Sequence, residues 1–168
     1  EPILKYVEEV TLFGWGEPTI HPKFRDILEF LDRYPVRKYF VTNGTTLHRI
    51  REYLFDCKVD IMAVSLDGAT AKTNNAIRRK SNFDQIVSEL RSVVQQKRNG
   101  NTGYPYINFV FTLMRSNLDE LPEMVDLAYS IGIEEVKAVY MTSFSKDLED
   151  EVLWDRVDAA KNIFSQTI

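Results

Sequence analysis

Asp60-Ile61-Met62-Ala63-Val64-Ser65-Leu66-Asp67-Gly68 reads as a strand whose apolar residues follow one another instead of alternating with polar ones. A strand apolar on both faces belongs in a parallel sheet that is covered or enclosed on each side. Four more strand-like runs lie at about 7–13, 37–41, 105–114 and 135–141. Between and after them come helical patterns at about 22–34, 47–55, 70–77, 83–97, 118–131 and 151–164, with Phe24, Ile27, Leu28 and Leu31 sharing one face of the first. Strand and helix therefore alternate five times, which predicts an α/β fold of about five parallel strands joined by right-handed crossovers. The stretch Asn99-Gly100-Asn101-Thr102-Gly103 reads as a surface loop, because strand and helix signals resume directly after it. The 168 residues are accordingly expected to form a single domain.

Composition narrows the function classes. With 44% hydrophobic and 27% charged residues, the chain has the balance of a soluble globular protein. The net charge of −4 is interspersed and Arg78-Arg79-Lys80 is the only basic triplet, which argues against a nucleic-acid surface. No apolar run approaches the roughly 20 residues that cross a bilayer, so no membrane partner and a cytoplasmic location are expected. Cys57 is the one cysteine, and with only His21 and His48 beside it no thiolate cluster or closed zinc site is built from these residues. Its place between a helix and a strand reads as a packed thiol. The chain opens Glu1-Pro2-Ile3 without an initiator methionine, as a piece cut from something longer would.

Polar residues gather where each strand ends: Gly14 to Pro18, Thr42 to Gly44, Ser65 to Gly68, Arg115 to Asn117, and Thr142 with Ser143. Carboxyl ends of parallel strands form the ligand-binding rim of α/β barrels and open α/β sheets alike. In Gly14-Trp15-Gly16-Glu17-Pro18 the glycines let the backbone turn sharply and approach a ligand, and Glu17 can accept hydrogen bonds from a cationic amine. An ordinary strand-to-helix turn with Glu17 as a solvated cap fits the same letters. Trp15 can floor a pocket or cap the core. Thr70 and Asn117 fit helix caps, whereas Ser65 and Asp67 are separated from the helix start by Gly68 and Ala69 and are expected to face a ligand. Arg78 offers a planar fork suited to a carboxylate, or else complements the end of its own helix. Glu for an amine, Arg for a carboxylate, and Ser, Asp and Asn for hydroxyls together suit an amino acid joined to a ribose.

In order along the chain, Gly14-Trp15-Gly16-Glu17-Pro18-Thr19, Thr42-Asn43-Gly44-Thr45, Ser65-Leu66-Asp67-Gly68-Ala69, Arg78 and Asn117-x-x-Glu120-Leu121 make the sequence resemble the radical S-adenosylmethionine superfamily, especially its SPASM-type branch. The first motif departs from the usual Gly-Gly-Glu-Pro by placing Trp15 before Gly16. The resemblance implies a partial (β/α) barrel whose first β-α unit, the one carrying Cys-x-x-x-Cys-x-x-Cys, is missing here. It implies that Gly16 and Glu17 hold the methionine amino group of S-adenosylmethionine, that Ser65, with Asp67, meets the ribose or methionine end, and that Arg78 takes the methionine carboxylate. Asn43 shares that rim, and 140–142 would flank the adenine. The implied parent is an iron–sulfur oxidoreductase or maturase that reductively cleaves S-adenosylmethionine at a 4Fe-4S cluster to a 5′-deoxyadenosyl radical. This chain, without the cluster cysteines, is expected to be inactive alone, to have no metal ligands of its own, and to leave the substrate open, a peptide or protein included. Loss of the first strand would uncover the edge at 7–13, and an edge-mediated homodimer is expected. A non-catalytic domain that binds S-adenosylmethionine or a peptide is the alternative reading. An α/β enzyme for a phosphorylated substrate ranks below both, since the chain has no Gly-rich phosphate loop.

Overall fold

A computed structural model of the chain describes residues 2–143 and 145–167. Five strands, β1 (Glu9–Leu12), β2 (Arg37–Thr42), β3 (Ile61–Ser65), β4 (Tyr106–Leu113) and β5 (Glu135–Tyr140), form one sheet. Its spatial order is the sequence order and every neighbouring pair is parallel. The helices are α1 (Phe24–Leu31), α2 (Leu47–Asp56), α3 (Ala71–Ile77), α4 (Phe83–Asn99), α5 (Leu121–Ile131) and α6 (Val157–Thr167). Parallel strands laid down in order by crossovers of one hand put every helix on the same face of the sheet, whereas a doubly wound sheet must reverse its order to cover both. The chain is therefore an α/β barrel segment, with one helix-covered face and one concave inner face.

Register assigns residues to those faces. The partners Phe40↔Met62, Met62↔Ile107 and Val64↔Phe109 fall on the helix side, where Phe40, Met62, Val64, Ile107, Phe109, Phe111 and Leu113 are buried against Leu28, Ile50, Leu54, Ile86, Leu90, Leu121 and Met124 from the helices. Each such side chain taken out of water contributes about 1.5–3 kcal/mol. The opposite set, Val41↔Ala63↔Asn108 and Ser65↔Val110, lines the inner face. The unbroken apolar run of β3 is thus explained: Met62 and Val64 face helices while Ala63 lies in the barrel, and all three are buried.

The expected element bounds shift at three places. The strand expected at 7–13 is only Glu9–Leu12, because Phe13 is exposed and Gly14 at φ +150° turns the chain away from β2. The helix expected at 118–131 splits into a 3₁₀ turn, Leu118–Glu120, and α5, because Pro122 supplies no N–H and is accommodated only in a first helical turn. The helix expected from 151 begins at Val157, after a 3₁₀ turn at Lys146–Glu151. Here Arg115 binds the carbonyl of Asp150 through Nε at 2.7 Å and donates its backbone N–H to the Glu151 carbonyl at 2.9 Å. Those carbonyls are thereby drawn into tertiary bonds in place of helical ones. Among the described residues no helix is long and apolar enough to cross a membrane. β1 and β5 are the two edges of the sheet.

Candidate functional site at the carboxyl rim

A polar cleft of about 280 Å³ opens where β1, β2 and β3 end, lined by Phe13, Gly14, Gly16, Glu17, Val41, Thr42, Asn43, Ser65 and Arg78. Five of the six residues singled out from the sequence, Gly16, Glu17, Asn43, Ser65 and Arg78, converge there. Asp67 does not line it. The cleft lies just below the ~300–1,000 Å³ typical of small-molecule sites, a size for part of an extended cofactor.

Each lining group is fixed by its own loop. Gly14 and Gly16 carry φ of +150° and +98°, backbone conformations that L side chains rarely adopt, and the space where their Cβ atoms would stand is open. Glu17 follows and caps the short turn Pro18–Ile20 by accepting the Thr19 N–H at 3.1 Å. Its Oε1 also accepts the hydroxyls of Thr19 at 2.5 Å and Thr42 at 2.8 Å, and Oε2 accepts the Asn43 N–H at 2.6 Å. The Glu17 carboxylate thus ties the end of β1 to the end of β2, and one lone-pair direction on Oε2 is left for a further donor. The cap reading and the cleft-lining reading describe the same residue. Asn43 turns its Oδ1 to the N–H and hydroxyl of Thr45, at 2.9 and 2.7 Å, which shapes the turn into α2. Gly44, at φ +78° and with Ile86 pressed against it, admits no side chain.

On the other wall Ser65 ends β3 and Arg78 caps the C-terminus of α3. Arg78 Nε lies 2.7 Å from Asp67 Oδ2, and the Asp67 carboxylate is buried. Asp67 Oδ1 accepts the Thr112 N–H at 2.8 Å, its own N–H goes to Asn74 Oδ1 at 3.0 Å, and its carbonyl accepts Asn117 Nδ2 at 3.0 Å. The expected pair of ligand-facing residues separates accordingly: Ser65 faces the cleft, and Asp67 faces Arg78 and the protein.

Asn117 corrects the cap reading. It makes no side-chain cap bond. Instead Nδ2 donates to the Asp67 and Thr112 carbonyls and Oδ1 accepts the Met114 N–H at 2.8 Å. Glu120 completes this brace by accepting the Ala69 N–H at 2.8 Å and the Thr73 hydroxyl. Thr70 does cap α3, through the Thr73 N–H. Trp15 neither floors a pocket nor caps the core, for it is fully exposed. Thr19 and Thr42 stand within the sequence motifs with no role assigned to them from sequence, and their hydroxyls hold Glu17; the available signal was Thr42 at the end of β2 and Thr19 two residues after Glu17.

A larger groove of about 460 Å³ lies between α5, α6 and β5, walled mostly by Leu121, Val125, Ala128, Ile133, Val136 and Phe164. Its apolar lining has no cationic group to hold an anion. Among the described residues no cluster of three or more His, Cys, Asp or Glu side chains can hold a metal ion. Cys57 is buried, as its position predicted, and burial together with the nearby Glu29 carboxylate pushes its thiol up from 9.0. These residues therefore do not furnish ligands for an iron–sulfur cluster.

A curved parallel sheet with a cleft at its carboxyl rim, walled by an acid on one side and a guanidinium on the other, defines an α/β-barrel protein with opposite charges facing one cleft. The sequence model of the Radical SAM superfamily matches residues 3–128, and the chain belongs to that superfamily. Among curated relatives, the mycofactocin maturase MftC of Mycolicibacterium smegmatis is 30% identical over 136 residues, covering 77% of this chain and 33% of the relative. A tungsten-containing aldehyde ferredoxin oxidoreductase cofactor-modifying protein of Pyrococcus furiosus is 21% identical over 143 residues, covering 84% and 40%. The chain thus spans about a third of the length of the maturases it matches. Of solved structures, Streptococcus suis SuiB bound to S-adenosylmethionine superimposes with a TM-score of 0.73 at 15% identity, over 94% of this chain and 35% of that one. The AdoMet-bound anSMEcpe superimposes with a TM-score of 0.70 at 15% identity, over 98% and 46%. At these identities the superpositions carry the fold, a partial α/β barrel.

Proposed function

We propose that this chain is the cofactor cradle of a radical S-adenosylmethionine oxidoreductase of the maturase type, and that its rim cleft holds the amino-acid end of S-adenosylmethionine. The observation that carries the reading is the convergence of Gly16, Glu17, Asn43, Ser65 and Arg78 on one cleft. The ammonium group takes the free Oε2 direction of Glu17 together with backbone at Gly16. The carboxylate takes the forked end of Arg78, where two parallel charge-assisted bonds select a planar anion over a hydroxyl. Ser65 and the rim at Asn43 serve the ribose and methionine chain. Family membership and the maturase relatives support the enzyme class, while the cluster belongs to residues outside this set. A peptide or protein substrate is favoured by the mycofactocin maturases and by the solved SuiB complex with its precursor peptide SuiA. The uncovered edge of β1, flanked by exposed Tyr6, Phe13 and Trp15, is a surface for pairing with a second copy.

Calorimetric titration of the purified protein with S-adenosylmethionine tests the cradle. Binding is expected, and Arg78→Ala and Ser65→Ala should each weaken it at least fivefold. Unchanged affinity in both variants would remove the rim cleft as the site.

A further inference from the structure

The cleft sets a problem that its own residues solve. Glu17 and Arg78 line the same 280 Å³, and an acid and a guanidinium so placed tend to close on each other and fill the site. They form no ion pair with each other among the described residues. Glu17 is occupied by Thr19, Thr42 and Asn43, and Arg78 is drawn to the other side by Asp67. We propose that Asp67 is a positioning residue that holds Arg78 away from Glu17 and turns the free end of its guanidinium toward a ligand carboxylate. This rests on the reading of the cleft as the site for the amino-acid end of S-adenosylmethionine.

Three observations carry the inference. A guanidinium presents five N–H donors; Asp67 Oδ2 stands 2.7 Å from Nε as an ion-pair contact without hydrogen-bond alignment, which occupies that side of the group and leaves the two terminal nitrogens as a fork. Asp67 is itself held on both sides: its carboxylate meets Arg78 and the Thr112 N–H on β4, while its backbone N–H and carbonyl are bound by Asn74 on α3 and Asn117 before α5. Gly68, the next residue, fixes the approach, since a Cβ there would stand 2.4 Å from the Asn74 nitrogen. A long side chain restrained before the ligand arrives loses less freedom on binding. The family motif Ser65-x-Asp67 therefore divides its work, with Ser65 in the cleft and Asp67 behind Arg78.

Asp67→Asn is a sharp perturbation, because the amide can keep its oxygen on the Thr112 N–H only by turning its NH₂ toward Arg78 Nε, donor against donor. The probes are S-adenosylmethionine and its decarboxylated analogue, which keeps the ammonium and sulfonium groups and lacks only the carboxylate. Wild-type protein should prefer S-adenosylmethionine about tenfold or more. Asp67→Asn and Arg78→Ala should each reduce that preference to within about twofold while leaving affinity for the analogue nearly unchanged. The double variant should be no worse than Arg78→Ala. A loop merely loosened by the substitution would weaken both ligands alike, and that result overturns the inference, as does a retained preference in Asp67→Asn. Absence of any preference in the wild type overturns the cradle reading and this inference with it, whereas loss of preference in Arg78→Ala alone overturns the inference only. If Asp67→Asn does not fold, the Arg78 Nε–H resonance of the wild type decides: it should be resolved at neutral pH and unmoved by S-adenosylmethionine while the terminal nitrogens shift, and the reverse pattern counts against Asp67.

Discussion

Removing the Glu17 carboxylate should weaken the fold as well as the cleft, and the structure sets the size of the effect. Glu17 accepts four hydrogen bonds, of which two, from the Thr42 hydroxyl and the Asn43 N–H, cross from the end of β1 to the end of β2. Hydrogen bonds to a charged group are worth about 1.5–3 kcal/mol each. Glu17→Ala leaves those two donors without a partner. Because the loop is only half-buried, water reaches part of the gap, and about 2–4 kcal/mol of destabilisation remains. For a chain of this size each kcal/mol lowers Tm by roughly 2–4 °C, so a fall of about 5–15 °C is expected in a thermal melt followed by circular dichroism. Glu17→Gln, which keeps an acceptor oxygen, should cost less than half as much. A Glu17→Ala protein melting within 1 °C of wild type would refute the argument that this acid joins the two strand ends.

Gly68→Ala forces a Cβ to within 2.4 Å of the Asn74 nitrogen and should lower Tm and weaken S-adenosylmethionine binding together, whereas Gly16→Ala enters open space and pays only for its φ of +98°, so binding should suffer more than Tm; melting and titration of both proteins check the contrast. Asn108 is buried on the inner face with neither amide atom partnered among the described residues, and Asn108→Leu is expected to raise stability by about 1–2 kcal/mol in urea unfolding, since an unsatisfied buried amide costs about 1–3 kcal/mol. Phe109→Ala empties a fully buried position between the sheet and its helices and should cost about 3–5 kcal/mol by the same assay. Burial raises the Cys57 thiol above 9.0, so the folded state favours its neutral form. The stabilisation is complete below pH 9.0 and declines as pH rises from there through the higher folded value; Cys57→Ala should flatten that alkaline decline, and native protein at neutral pH should resist iodoacetamide until denatured.

The alternation of strands and helices was legible because burial on both faces leaves uninterrupted apolar runs, and Ile61-Met62-Ala63-Val64 is the plainest of them. Ends were harder to read where tertiary bonds compete with local propensity. Nothing near 146–151 announces that Arg115, far off in sequence, takes carbonyls which would otherwise have continued a helix. Around the cleft, residue types at strand ends pointed to Gly16, Glu17, Asn43 and Ser65, since parallel topology brings every carboxyl end to one rim, whereas Arg78 was singled out from its place at the end of a short helix; all five line the same cleft. Direction was not legible: Ser65 and Asp67 are two apart and look alike as ligand-facing polar residues, and only the Thr112 N–H and the position of Arg78 turn Asp67 into the wall. Asn117 likewise has the letters of a cap, yet its amide spans two carbonyls and an N–H of neighbouring loops.

The most direct test of the cradle is amide chemical-shift mapping during a titration of the isotope-labelled protein with S-adenosylmethionine. Saturable changes centred on Gly16, Asn43, Ser65 and Arg78, with the α5–α6 groove silent, are the predicted result. Changes centred on Leu121, Val125 and Phe164 instead, or no saturable change at millimolar ligand, would contradict it.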